Sequence, residues 1–504
     1  MILIDTATLE LRDFPNSDER YAILSHTWGP VSDEVTYAEM LSGERSAATI
    51  AKTGYRKIAK TCELARRKYN LPYAWVDTCC INKTSSAELS EAINSMYRWY
   101  QDACICFAYL CDVTDSQFNF HGSRWFTRGW TLQELIAPKD LVFFDENWGF
   151  RGTKKTLATH VSMLTGIPSQ ILDHSVELDE IPVAQRFSWA STRETTREED
   201  RAYSLLGIFD INMAMLYGEG PKAFIRLQEQ ILGQGADSSL FLWSDLQTDQ
   251  EFTGLLAPNP ACFREMRSMT AEPSFTQREI FLTNRGIRLK LGLAWDADTG
   301  LAVLPVKHSF GSSGKPAGVY LRRVGLDQFV RALPQEYTIA NSERFYTVLT
   351  AVKTLTAAQS KKIVNNAMGI KAPREVTVVR VEPHGAWDPS SKLFYETHTN
   401  AFLGYMVFQK ARFPQVAVVF FFQDKHWSAT VVEDDRWPSI QENFYSYYNY
   451  NRNDIKYHDS MGDRKLAYVR GPHFTALSVH MRVREVTGQP YLDRQTFEEV
   501  TNDT

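Results

Sequence analysis

Hydrophobic positions in the first 150 residues alternate between two spacings. Tyr21–Ser25 is a short apolar run closed by the loop His26-Thr-Trp-Gly-Pro30. From Gly54 to Asn70, the residues Tyr55, Ile58, Cys62, Ala65 and Tyr69 recur at three- and four-residue steps, which predicts an amphipathic helix. Tyr73–Asp77 reads as a second strand. Ser85-x-x-Glu88 then offers a capping box, opening a helix whose apolar face is Leu89, Ala92, Ile93, Met96, Tyr97 and Tyr100. Cys104–Leu110 is a third buried strand. Thr131–Ala137 is a helix stopped by Pro138, and Leu141–Phe144 is a fourth strand. Strands that are apolar throughout and separated by helices predict a parallel sheet covered on both faces. With right-handed crossovers, residues 1–150 become a doubly wound α/β domain. In such sheets ligands sit beyond the carboxyl ends of the strands. That rule singles out Ser25–Pro30, Asp77–Asn82 and the segment from Cys111 through Glu134.

The period changes further along. Residues 151–235 read as a helical extension. Thr195 and Thr196, with Glu198 and Glu199, resemble N-caps for a helix running to Phe209. Pro221 is placed to open another helix, with Phe224, Leu227 and Ile231 on one face. Beyond about Ser238 the spacing becomes two. The clearest strand has Leu477, Val479, Met481 and Val483 alternating with polar residues. Further strands are expected at Leu301–Val306, Gly318–Val324, Phe345–Val352, Glu375–Val381, Tyr405–Phe408, Val416–Phe422 and Ala429–Val432. Many short strands with turn-rich gaps predict an antiparallel β-sandwich-like domain over 236–504. Asn443–Tyr450 reads as an aromatic loop.

Composition narrows the function classes. The 504 residues are 44% hydrophobic and 23% charged, with 55 basic against 60 acidic side chains and a net charge of −5. Nothing in that balance draws the chain to nucleic acid or to an anionic membrane. The longest apolar run, Val416–Phe422, is far short of the roughly 18 residues a membrane span needs. The N-terminus MILIDTATLELRD lacks a basic n-region, so it does not read as a secretory signal, and a cytoplasmic location is expected. Six of the seven cysteines lie between Cys62 and Cys111, as adjacent, alternate or single residues with no C-x-x-C. They read as small buried side chains in a reducing compartment. The eleven histidines show no metal-ligand spacing, so no metal site is expected.

Two glycine patterns carry no cofactor signal. Gly218-x-Gly220-x-x-Ala223 lies inside the helical stretch and reads as a turn ahead of Pro221. Gly311-Ser-Ser-Gly-Lys315 has the wrong spacing for a phosphate loop. The chemistry concentrates in Ser123–Pro138. Trp130 and Glu134 are four apart, on one side of a helix. Arg124 and Arg128 precede them near the helix N-terminus, where anionic groups are favoured. An acid, an aromatic platform, a guanidinium and backbone donors suit a phosphorylated substrate with an aromatic base. The same residues also spell a capping box, Thr131-x-x-Glu134, in which Glu134 ties down a helix end. His26 and Trp28 follow a strand and are either ligand groups or core. Asp77 either orients a ligand hydroxyl or caps its own turn.

At these stretches the chain resembles the fungal HET domain, named for heterokaryon incompatibility. The matching blocks are YAILSHTWG (21–29), YAWVDTCCINK (73–83) with SSAELSEAINSMYRWY (85–100), and SRWFTRGWTLQELIAP (123–138). A further block, VAQRFSWASTRETTREEDRAYSLLGIFDINMAMLYGEGPKAF (183–224), resembles the helical extension of many such proteins. The resemblance implies regulated cell death after non-self recognition. The domain is also similar to TIR domains, whose W-C-x-x-E-L motif carries the glutamate that cleaves NAD⁺. Trp130-Thr-Leu-Gln-Glu-Leu135 matches that pattern with Thr131 in place of the cysteine, which maps the catalytic acid onto Glu134.

The expectation that follows is an NAD⁺ glycohydrolase releasing nicotinamide, with NAD⁺ as substrate and no resident cofactor. Its bond already has a cationic leaving group, so what is needed is a carboxylate to steady an oxocarbenium-like ribose. Glu134 would supply it, Trp28 or Trp130 would stack a ring, and Arg128 would hold phosphate. Ser25, His26 and Asp77 would complete the wall. Homo-oligomerisation on activation and a cognate partner protein are expected too. Two rivals stand beside this reading. One is a non-enzymatic signalling and oligomerisation module. The other is a thiol hydrolase pairing Cys79 or Cys80 with His26.

Overall fold

The computed structural model describes residues 1–15, 19–42, 45–114 and 122–271 and, from 279 to 499, a series of segments that hold the strands named below. The chain divides into two compact units. The first comprises Met1–Asp245, Leu256–Ser274 and Lys307–Gly314. The second comprises Leu246–Leu255, Phe275–Val306 and Lys315–Thr504.

The first unit is built on a seven-stranded sheet. In chain order its strands are β1 (Ile2–Asp5), β2 (Leu11–Asp13), β3 (Tyr21–His26), β4 (Tyr73–Trp75), β5 (Ile105–Tyr109), β6 (Leu141–Phe144) and β7 (Phe150–Thr153). Their spatial order is β2-β1-β4-β3-β5-β6-β7. The four strands expected from sequence are the four central ones, and they run parallel, with Tyr21 opposite Tyr73, Ala22 opposite Ile105 and Cys106 opposite Leu141. β3 is buried at all six positions and β6 at all four, as expected of strands covered on both faces. The sheet as a whole is mixed, which corrects the expectation of a purely parallel one. β1 joins β4, β2 joins β1 and β7 joins β6, all antiparallel. β2 is three residues with two exposed, and β7 has a single buried residue. Edge strands this short and wet lack the apolar run that marks the others.

Two short helices, α1 (Tyr37–Leu41) and α2 (Ala47–Ala51), lead into α3 (Thr53–Tyr69), which buries Ile58, Thr61, Cys62 and Ala65 and ends at Asn70 with φ +52. α4 (Ser86–Asp102) buries Ala92, Ile93, Met96, Trp99 and Tyr100. Half of its expected capping box forms. Ser85 Oγ accepts from the Glu88 N–H at 3.3 Å, but the Glu88 carboxylate accepts from Asn82 Nδ2 at 3.2 Å instead of closing the box. α5 (Thr131–Ile136) is buried at all six residues. Helices α6 (Ala158–Thr165), α7 (Ser169–Leu172), α8 (Val183–Ser188), α9 (Asp200–Tyr203) and α10 (Lys222–Gln234) follow.

The stretch before Phe209 departs from expectation. α9 has only four residues and gives way to a 3-10 turn at Leu206–Ile208. Thr195 donates to the Arg197 carbonyl and caps nothing. Glu199 accepts instead from the amides of Gly218 at 2.7 Å and Gly220 at 3.1 Å. Those glycines, at φ +103 and +59, form the turn expected ahead of α10. Packing carries this unit beyond the point where the spacing changes. Asp237 and Ser239 accept the N–H groups of Val183 and Ala184, Gln228 bonds both polar groups of Ala257, and Phe187 stacks on Phe263 at 4.9 Å.

The second unit is sheet-rich and largely antiparallel, with sheets of eight, six and four strands. All eight stretches expected as strands lie in them, among them Leu301–Pro305, Ala317–Arg323, Val416–Gln423 and Phe474–Val486. Two pairings are parallel, Gln328 with Thr350 and Gly369 with Tyr491. Phe252, Leu301, Val303, Tyr320 and Val330 form one of its buried clusters. Gly311–Lys315 and Asn443–Tyr450 lie outside the described residues. Among the described residues, no helix is long and apolar enough to cross a membrane.

Candidate active site

The chain runs from β3 to β4 on one side and then from β4 to β5 on the other, so the sheet reverses direction beside the carboxyl end of β3. Ser25 and His26 are the last residues of that strand. Neighbours on a strand point to opposite faces, and these two bond accordingly, Ser25 to α5 and its approach, His26 to α3.

On the α5 side, Ser25 Oγ donates to Glu134 Oε2 at 2.5 Å and accepts from Trp125 Nε1 at 2.8 Å. Because an indole N–H only donates, the serine proton is directed at the carboxyl. Glu134 therefore bonds across to the central strand and does not cap its own helix. Thr131, the other member of the apparent capping box, donates to the carbonyls of Trp125 and Arg128. Glu134 is 5% exposed. Burial first, then the charge of Asp77, push its carboxyl up to about 8, against the pull of Ser25, Arg128 and Tyr100. The Tyr100 hydroxyl also donates to the Leu24 carbonyl at 2.9 Å.

On the α3 side, His26 Nε2 lies 3.1 Å from Asp77 Oδ1, and Trp28 Nε1 donates to Asp77 Oδ2 at 2.8 Å. Burial pushes the Asp77 carboxyl up, but the hydrogen bond and charge of His26, with Lys83 and Arg128 nearby, outweigh it and hold the group well below the usual carboxylate range. Lys83 Nζ sits 3.6 Å from the centroid of the Trp28 ring, and the Arg128 guanidinium is 5.4 Å from it.

Of the residues singled out from sequence, Ser25, His26, Trp28, Asp77, Arg128 and Glu134 are thus brought together. Trp130 is turned elsewhere, with its indole donating to Asp200 of α9 at 3.3 Å. Arg124, near the helix start, is exposed and pairs with Asp112. Cys79 and Cys80 are buried, the Cys79 thiol facing the Val76 carbonyl. Both His26 ring nitrogens are engaged, Nε2 by Asp77 and Nδ1 by Lys57, and neither is turned to a cysteine. All seven cysteines are free. Among the described residues no acid, cysteine and histidine cluster is arranged to hold a metal.

Sequence reasoning missed several participants, among them Lys83 beside Trp28 and Asp77. Trp125 and Tyr100 look like ordinary core aromatics. Arg193 binds the Arg128 carbonyl and Thr131 Oγ1, each at 2.9 Å, from a loop 60 residues away. Lys57 lies on the buried face of α3, where a lysine reads only as a break in the apolar pattern.

Residues 21–122 match the family model described as heterokaryon incompatibility protein (HET). The matched residues lie within the first unit. Over 222 residues, the chain is 47% identical to the vegetative incompatibility protein HET-E-1 of Podospora anserina. The alignment covers 42% of this chain and 16% of that relative, so the chain spans about a sixth of the relative it matches. No solved structure matches. The HET match takes in Ser25, His26, Trp28 and Asp77, while Glu134 lies twelve residues past its end.

Proposed function

We propose that the HET domain is a TIR-like NAD⁺ glycohydrolase acting in heterokaryon incompatibility and the cell death that follows non-self recognition. A doubly wound TIR-like fold for residues 1–150 and a sandwich-like arrangement for 236–504 belong to the same reading. The incompatibility context rests on the family match and on the name of the relative. The chemistry rests on one observation above all: the Glu134 carboxyl meets Ser25 at the carboxyl end of the central strand, beside Asp77, instead of capping its own helix.

In this mechanism water displaces nicotinamide from C1 of its ribose. The C–N bond breaks with its electron pair going to the nicotinamide nitrogen, which becomes neutral. ADP-ribose and a proton are the other products. As positive charge spreads over the ribose, an ionised Glu134 stabilises it. The free site holds this group largely neutral near pH 7, and the cationic nicotinamide riboside favours its ionisation on binding. Ser25, oriented by Trp125, fixes the carboxyl. Asp77 accepts hydrogen bonds from ribose hydroxyls, while Arg128 and Lys83 neutralise the diphosphate.

A non-enzymatic signalling and oligomerisation module is the second reading, favoured by the burial of Glu134. Assembly on activation, with a cognate partner protein, belongs to both. Nicotinamide release by the concentrated full-length protein, with oligomerisation followed by light scattering, decides between them. Release that Glu134→Gln abolishes supports the enzyme. An assembled protein that leaves NAD⁺ intact supports the module.

A further inference from the structure

A buried chain of charges runs behind the site. Glu34 Oε1 accepts from Lys57 Nζ at 2.5 Å and from the Gly29 N–H at 2.8 Å. Lys57 Nζ lies 2.9 Å from His26 Nδ1, and His26 Nε2 is 3.1 Å from Asp77 Oδ1. Glu34 and Lys57 are 6% and 8% exposed, and His26 is 3%.

The chemistry of the donors gives this chain a direction. An ammonium paired with a carboxylate has only protons to offer, so Lys57 donates and His26 Nδ1 must be the bare nitrogen. The ring proton then sits on Nε2 and points at Asp77. Trp28 Nε1 donates to the second oxygen of the same carboxylate. Both Asp77 oxygens are thereby occupied on their inner side by donors that keep the group ionised. Its side chain is 19% exposed, which leaves its outward lone pairs for a ligand. Glu34 fastens the other end, holding Lys57 and the loop amide after Trp28 with one oxygen.

We propose that Lys57, fixed by Glu34, is a positioning residue that sets the tautomer of His26 and so holds Asp77 as an acceptor for the vicinal hydroxyls of a ribose. The assignment of the ligand rests on the glycohydrolase reading, whereas the relay rests on the geometry alone. Removing Lys57 frees His26 to carry its proton on Nδ1 and turns Nε2 into an acceptor facing Asp77. Two acceptors then oppose each other, and Asp77 loses its alignment.

The test uses the full chain labelled with ¹⁵N-histidine. Long-range ¹H–¹⁵N correlations, with His26→Gln identifying the resonance, show which ring nitrogen bears the proton. The expected result is a protonated Nε2 and a bare Nδ1 in the wild type, lost in Lys57→Met. Wild-type protein with its His26 proton on Nδ1 overturns the relay, and this measurement needs no mutant to fold. In nicotinamide-release assays, Lys57→Met is expected to raise KM for NAD⁺ about tenfold with a smaller change in kcat, the scale of a charged hydrogen bond. An unchanged KM overturns the positioning role. Wild-type protein that releases no nicotinamide refutes the glycohydrolase reading, while the histidine spectrum still decides the relay.

Discussion

Glu134 carries the most specific expectations at the scale of single residues. Glu134→Gln keeps the shape of the carboxyl and removes its charge. It is expected to lower nicotinamide release by about 10²–10³, the scale for losing one electrostatic stabiliser, with an unchanged circular dichroism spectrum. The pH dependence has a definite sign. The carboxyl is raised from its ordinary 4.5 to about 8 in the folded protein, so the folded state binds this proton more tightly than the unfolded chain. The resulting stability is fully present below about 4.5 and is lost as pH rises through about 8. Melting temperatures of wild type are therefore expected to fall between pH 5 and pH 8 relative to those of Glu134→Gln. Because kcat/KM reports the free enzyme, it is expected to climb over the same range and level off above about pH 8. The residues themselves stood out in the sequence, Ser25, His26, Trp28 and Asp77 at or just after strand ends and Glu134 in the helix before Pro138. The alternative roles of Glu134 were not separable there. A capping box and a carboxyl reaching across to Ser25 need the same residue at the same spacing.

At the scale of elements, the close approach of α3 to the segment between β3 and α1 is the feature that matters. A Cβ at Gly54 would lie 2.8 Å from the Asp33 carbonyl oxygen and 2.9 Å from Glu34 Cα. Both are backbone atoms that cannot swing aside. The missing side chain lets the first turn of α3 settle on Glu34 and brings Lys57 within reach of His26. Gly54→Val is expected to cost about 1–3 kcal/mol, as overpacking of a tight contact does. The check is a denaturant titration, and a midpoint unchanged from wild type would count against this packing. Elements with strong periods, such as α3, α4, β3 and β5, were readable because burial of one face or both faces writes itself into the spacing. The edge strands β2 and β7 were not. Their pairing depends on a neighbour already being in place, and they bury too little to leave a pattern.

The extent of the first unit matters at the scale of the whole molecule. Leu240, Phe241 and Trp243 are at most 1% exposed, as is Phe263 beneath Phe187. Each such side chain contributes roughly 1.5–3 kcal/mol on burial, against a total stability of about 5–15 kcal/mol for a typical domain. A fragment 1–235 is therefore expected to melt without a cooperative transition. A fragment 1–274, which keeps these residues and the partners of Val183, Ala184, Gln185 and Gln228, is expected to melt cooperatively. Calorimetry of the two fragments checks this, and equal transitions would contradict it.

Local spacing alone settled the run of central strands and helices, the turn at Gly218 and the period-two character of the second unit. All of these follow from contacts within a few residues or from one buried face. Tertiary structure decided the antiparallel edges, the short α9, the turning of Trp130 toward Asp200, and the chain from Glu34 to Asp77. Each of these depends on which side chain, dozens of residues away, arrives opposite a buried polar group. A buried donor or acceptor must find a partner, but nothing in its own neighbourhood along the chain says which partner it finds.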